Sequence, residues 1–543
     1  MPISPWNDWS LEEQATAHGQ TVERLALATV AMGVVAPAVA MAVRAFGISA
    51  WIATAMAAAS LSLIPTLARR LPESLDGFAH RHRAVSTLWC VIALAAVVQT
   101  ARLAVFIDAP ARTEFSILPF DTFWREHSCF SAYIQAADRD RRGDPNVYDL
   151  PEATYARYRA AYAPLDVDDY LYPPTFLPLP RLGLAATGDF FSLRRGWFAI
   201  ELVVAVLAFA LVARFIAGRE GLRVGFWSPV IWVTIPVLLT LQIGNVQLAA
   251  FALSMLTLVA IESGRAAAGG ITLAVLALAK VFPAILVLVL LARRRWCALM
   301  WTGIGAIIVT GVSSWVVTPT TFHAFFSYML PRLAHGDQFW VGIDPANLLR
   351  LTAVNFSVFG LVMKLREFGI PVPPGAADAL TWVFTAALTV LVWVAARRGH
   401  NELRLAQVCL AALILAATRS PFVPSAYGTV GALWLITLLA VEDDSWRRWF
   451  LCLAGIIALA YVVPDRHPGF PPPRVRLGIG FVQQLAVFAL AISVLVRARR
   501  SRSESPHEAL ASDRLGGDEL PRVPRCPPRA SMVSSSETLD PFW

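Results

Sequence analysis

The chain has 543 residues, 57% of them hydrophobic and only 15% charged, with a net charge of +8 and a mean hydropathy of +0.57. A soluble domain carries about 25% charge, so the composition excludes an ordinary soluble fold and points to an integral membrane protein. The basic excess does not indicate a nucleic-acid partner, because Lys and Arg sit at the ends of apolar runs and in the tail, with no basic face interleaved with aromatics.

The first twenty residues are polar and acidic and lack a basic n-region, so no cleavable signal peptide is expected, and 1–21 reads as a cytoplasmic N-terminus. Runs approaching the roughly 20 apolar residues of a span follow at 22–44, 49–67, 85–107, 196–216, 225–241, 245–262 and 267–280. Further runs lie at 282–293, 297–317, 378–397, 403–418, 427–441, 449–463 and 477–497. They predict an all-α polytopic membrane protein, a bundle of about 12–14 transmembrane helices occupying 22–497.

Arginines orient these runs. Arg69, Arg70, Arg81, Arg83, Arg214, Arg219, Arg223, Arg293, Arg294, Arg295, Arg397, Arg398, Arg447, Arg448 and Arg497 fall on one face when the N-terminus is cytoplasmic. The same rule makes 347–363 an interfacial or re-entrant segment. It leaves 108–195 and 318–377 as long outer loops, so chemistry is expected on the extracytoplasmic face of the cell (plasma or inner) membrane. Residues 498–543, rich in Ser, Pro, Arg and Glu, read as a disordered cytoplasmic tail.

Several polar residues stand out against this background. Asp121, Glu126 and His127 lie just before a segment in which Phe130, Tyr133, Ile134 and Ala137 have helical spacing, predicting an amphipathic helix at the membrane surface. An acid held there can act as general base on a hydroxyl, or be an ordinary exposed loop carboxylate. Tyr172, Pro173 and Pro174 set a rigid turn. Gln242, Gly244 and Asn245 form a polar turn whose amides either cap helices or bind sugar hydroxyls. Lys280 interrupts an apolar stretch just before Pro283; it either faces a cavity, where it can hold a phosphate, or snorkels to the headgroups. Arg419, at an outer helix end, has the same two readings. His323 and His335 read as ordinary loop histidines. The six cysteines are scattered without a CxxC pair and read as apolar filler; no metal and no cofactor is expected.

In order, the chain carries Tyr133 with Ala136 and Ala137, then Gly143, Pro145 and Tyr148, then Tyr172, Pro173, Pro174 and Phe176. Gln242, Gly244, Asn245, Lys280 and Pro283 follow, with Asn355 and Ser357 late. This ordered set, covering roughly 85–497, resembles glycosyltransferase family 87, polyprenyl-phosphate-sugar-dependent mannosyl- and arabinofuranosyltransferases of the GT-C class. The resemblance implies an inverting transferase that moves a sugar from a polyprenyl-phosphate donor to a glycolipid or glycan acceptor within the lipid bilayer. Lys280 and Arg419 would face the donor phosphate, and Gln242, Asn245, Tyr172, Tyr133 and Asn355 would line the substrate. The family usually carries its base as an Asp four residues before the tyrosine of the Tyr-x-x-Ala-Ala helix, and here that position is Cys129. The role then moves to Asp121, Glu126 or His127, with Asp121 preferred because it lies in the loop leading into the helix. The segment Ser420, Pro421, Phe422 also lacks the nearby His usual in the family. Two alternatives are a lipid-linked glycan transporter or flippase and a non-catalytic relative in envelope assembly. The transporter would need charges along several spans, whereas the mid-span charges are few: Lys280, Glu201 and Arg102.

Overall fold

In lipid each backbone N–H and C=O must find its partner within its own segment, so long apolar runs fold as helices. A computed structural model describes residues 11–70, 83–340, 345–373, 375–442, 445–462 and 472–500. Among these residues there is no strand, only an isolated bridge between Asn355 and Pro424. Seven helices are long and apolar enough to cross a membrane: Arg24–Ala45, Ala50–Arg69, Ser86–Asp108, Phe190–Ile216, Trp296–Val316, Ala376–Ala396 and Pro473–Arg499. Glu220–Trp232 and Ile235–Ile243 make an eighth if the pair, bent by 67°, is one span. Pro236, near the start of its second half, cannot continue the first helix's hydrogen bonds. The protein is an all-α polytopic membrane protein, as its composition predicts.

The expected count of spans is corrected. Gln247–Glu262, Ala266–Ala279, Glu402–Ala417 and Trp446–Ala460 have 16, 14, 16 and 15 residues. At 1.5 Å per residue, even 16 residues reach only about 24 Å of a roughly 30 Å core. The predicted interfacial segment 347–363 forms two ten-residue helices, Pro345–Val354 and Val358–Glu367, also too short to span.

The short helices fold back on one another. Glu262 pairs with Arg293 at 3.4 Å and with Arg295, while Lys280 Nζ lies 3.4 Å from Asn245 Oδ1. The chain therefore runs from Asn245 to Glu262, returns to Lys280, and reverses again through Ile285–Ala292. Lys280 has extended backbone angles where Ala266–Ala279 ends, and Pro283 begins the next turn. Small residues make this layer tight: a Cβ on Gly270 would lie 2.6 Å from the Ala298 carbonyl oxygen, so Ala266–Ala279 approaches Trp296–Val316 backbone to backbone. Arg293, Arg398 and Arg404 surround His400, and Glu442 takes Arg404 at 3.3 Å and Arg448 at 2.6 Å. These basic residues thus gather at the end of the short helices away from Lys280.

The helix predicted to be amphipathic does not leave one face open. Cys129–Arg141 is buried on all sides from Cys129 through Asp140. It packs on Pro178–Thr187, and Asp140, fully buried, bonds Arg181, Thr318 and Thr321, joining the two long loops. Residues 1–10 and the expected tail from 501 onward lie outside the described residues.

Candidate functional site

The site is built where the first long loop is pinned onto the helix ends. Arg194, 3% exposed, donates to the carbonyls of Ile107 at 2.9 Å and Gln242 at 3.3 Å. The cation thereby meets the carbonyls at the end of the preceding span, where the helix dipole is negative. Gln242 is spent on the loop: Oε1 accepts from Ile117 N at 2.7 Å, and Nε2 donates to the Trp124 carbonyl at 2.7 Å. Gly244 follows with φ +67°, and a Cβ there would lie 2.8 Å from Phe130 Cβ, so only glycine fits the turn.

The three predicted bases have different fates. Asp121 is fully buried, and its Oδ1 accepts from the amides of Phe123 at 3.0 Å and Trp124 at 3.3 Å, capping the helix Thr122–Glu126. Glu126 faces outward to Arg159 at 3.1 Å. His127 points inward. Its ring stacks on Phe123 at 4.7 Å, and its Nδ1 lies 3.3 Å from Asp168 Oδ1. On the other side, its Nε2 lies 3.6 Å from Cys129 Sγ. Burial disfavours the imidazolium, but the Asp168 carboxylate and the Cys129 sulfur outweigh it and hold the His127 pKa well above its ordinary value.

Cys129 in turn meets the Asn245 amide, Nδ2 to Sγ, at 3.3 Å. Asn245 Oδ1 accepts from Gln247 N at 2.9 Å and from Lys280 at 3.4 Å. Lys280 Nζ also lies 3.4 Å from the Tyr172 hydroxyl and 5.2 Å from its ring centroid. Tyr172 is held by Tyr133, whose hydroxyl is 3.1 Å away and also accepts from Val246 N. Burial pushes both phenols well up, so they remain neutral donors. Five sequence-predicted residues are therefore in one chain of contacts: His127, Asn245, Lys280, Tyr172 and Tyr133.

A cavity of about 480 Å³ opens beside Lys280, Asn245 and Tyr172. Its walls are largely apolar, with Phe282, Ile285 and Leu388 on one side and Phe325, Phe339 and Phe422 from the loops. Arg419 also lines it, its guanidinium 5.4 Å from the Trp382 ring. Asn355 does not reach the cavity. It is fully buried, bonded to the Pro421 carbonyl and to the amides of Ser357 and Val423, and so shapes the loop that carries Arg419 and Phe422. His323 and His335 make local bonds, to Ser327 one turn on and to the Pro331 carbonyl one turn back.

Sequence reasoning set one residue of the site aside and missed another. Cys129, read as filler, is the hub between His127 and Asn245, and Asp168 went unremarked in the acidic run before Tyr172. The signal available for Cys129 was its place four residues before Tyr133. Among the described residues, His127, Cys129 and Asp168 are the group of three side chains close enough to share a metal ion. Asp168 and Cys129, however, address opposite nitrogens of the ring. That is the geometry of a relay, in which a central imidazole is oriented by one partner and acts on the other.

The family model of glycosyltransferase family 87 matches residues 170–421, in agreement with the resemblance carried by the motifs. That match takes in Tyr172, Asn245, Lys280, Asn355 and Arg419, while His127, Cys129 and Asp168 precede it. No curated protein and no solved structure matches the chain. The family match and the span-length apolar helices together support a membrane glycosyltransferase.

Proposed function

We propose that the protein transfers a sugar of the mannose or arabinofuranose type from a polyprenyl-phosphate donor to a glycolipid or glycan acceptor, on the extracytoplasmic face of the cell membrane. The observation that carries this reading is Lys280 on the wall of an apolar cavity that also holds Arg419. A polyprenyl phosphate combines a long apolar chain with one anionic head. Phe282, Ile285 and Leu388 suit the chain, and the two cations suit the head. As the anomeric C–O bond breaks, negative charge grows on the departing phosphate, and a fixed ammonium in a dry wall stabilises it without reorganising. Tyr172 and Asn245 orient that ammonium. The acceptor oxygen attacks opposite the leaving phosphate, and the sugar is transferred with inversion.

Removal of the acceptor proton falls to the groups around His127. Asp121 is committed to capping and Glu126 to Arg159, whereas His127 stands one contact from Asn245 by way of Cys129. Purified protein in lipid, given radiolabelled polyprenyl-phosphate mannose or arabinofuranose and a membrane glycolipid extract, is expected to label the glycolipid. A folded protein that transfers neither sugar would count against the proposal.

A further inference from the structure

Cys129 is 8% exposed and sits between the two halves of the site. Two nitrogens from different elements approach its sulfur: Asn245 Nδ2 at 3.3 Å and His127 Nε2 at 3.6 Å. The orientation of Asn245 follows from its other end. Gln247 N and Lys280 Nζ both donate to Oδ1, so the NH2 group is the one turned to sulfur. His127 is held by the Phe123 stack and by Asp168 on Nδ1. With the proton on the ring, two N–H donors converge on one sulfur, an arrangement that stabilises negative charge there.

We propose that Cys129 and His127 form a thiolate–imidazolium pair oriented by Asp168, and that the thiolate is the base that takes the proton of the acceptor hydroxyl. This deepens the glycosyl-transfer proposal and rests on it. In the step, the acceptor O–H bond breaks and Cys129 Sγ gains the proton. The acceptor oxygen's electron pair forms the bond to the anomeric carbon. The C–O bond to phosphate breaks, and its electrons leave on the phosphate beside Lys280. His127, whose side chain is 16% exposed, then releases its own proton to water and takes the proton from Cys129, which restores the thiolate–imidazolium pair.

The charged and titratable groups facing the sulfur are His127 and Asp168 from the first loop, Tyr133 and Tyr172, Lys280, and Tyr427. Lys280 is joined to the same asparagine, and Tyr133 and Tyr172 stay neutral. An anion at position 129 thus meets an N–H donor from each side. His127 as an imidazolium cannot itself accept a proton, which leaves the sulfur as the acceptor.

The test uses the full-length protein in nanodiscs and needs no reagent to reach the buried sulfur. The ultraviolet difference spectrum of wild type minus Cys129→Ser is expected to show a thiolate band at neutral pH that disappears on acidification. His127→Gln is expected to lose the band at neutral pH, and this variant serves also where Cys129→Ser does not fold. A band that emerges only at alkaline pH in both wild type and His127→Gln overturns the pair. So does stoichiometric zinc in the wild type that Cys129→Ser lacks. For the base role, Cys129→Ser is expected to slow transfer on the order of 10²-fold or more, with Cys129→Asp recovering part of the rate. Undiminished transfer by Cys129→Ser, or a sugar adduct on Cys129 by mass spectrometry, overturns that role. If the wild type transfers no sugar, the glycosyl-transfer proposal fails and the base role with it, while the spectrum still decides the ion pair.

Discussion

Asn245 joins Lys280 to Cys129: its Oδ1 lies 3.4 Å from the ammonium and its Nδ2 lies 3.3 Å from the sulfur. One amide therefore separates the cation suited to a leaving phosphate from the group suited to a proton. The asparagine is 3% exposed and cannot rotate without breaking both contacts and the bond to Gln247 N. The following expectations probe each part of this arrangement.

Lys280→Met keeps most of the length of the side chain, one atom short, and removes its charge. Transfer is expected to fall on the order of 10²–10³-fold in kcat, the loss found when a preorganised donor to a developing anion is removed. Unchanged donor kinetics would return Lys280 to a snorkelling role.

Arg419 lines the cavity and is exposed. Arg419→Gln is expected to raise the KM for the lipid donor about tenfold, or roughly 1.4 kcal/mol, with a smaller change in kcat. A fall in kcat alone, at constant KM, would contradict a role in holding the donor.

Asp121→Asn is expected to preserve kcat and change stability little, because Asn caps a helix nearly as well as Asp. Asp121→Ala is expected to cost about 0.5–2 kcal/mol through the lost cap, visible as a lower unfolding temperature. If Asp121→Asn abolishes transfer in a folded protein, Asp121 acts in the chemistry itself.

Gln242→Ala leaves the Ile117 amide and the Trp124 carbonyl without their partner. A buried polar group so exposed costs about 1–3 kcal/mol, so thermal unfolding should come earlier. Hydrogen exchange in 116–126 should rise together with it. Protection unchanged in that segment would show that other contacts hold the loop.

The His127–Asp168 pair makes stability depend on pH. Because the folded pKa of His127 is raised above its unfolded value, the folded state binds the proton more tightly. The pair's contribution is whole below about pH 6.5 and is lost as pH rises through the elevated folded pKa. The difference in unfolding temperature between wild type and His127→Gln should shrink across that range. A difference that grows with rising pH would reverse the sign and contradict the ion pair.

The sequence by itself determined the membrane class, because apolar runs and their flanking arginines report directly on a lipid environment. It also determined the interest of Lys280, since a charge within an apolar stretch is costly wherever that stretch folds. The doubling back at Lys280 was legible from Pro283 and from the shortness of the two flanking runs. What a given carboxylate or amide does was decided only by tertiary structure. Asp121, Glu126 and His127 all lie in the short stretch just before Cys129, yet only the turn of a five-residue helix sends the first to cap, the second to Arg159 and the third inward. Asn355 and Asn245 look alike in their motifs, and packing puts one under a loop and the other between Lys280 and Cys129. The same holds for Cys129 and Asp168, 39 positions apart and brought to one imidazole by the folding of the first loop. Local spacing fixes which face of a helix a residue shares. It carries no information on which distant side chain that face will meet, and the site is made of such meetings.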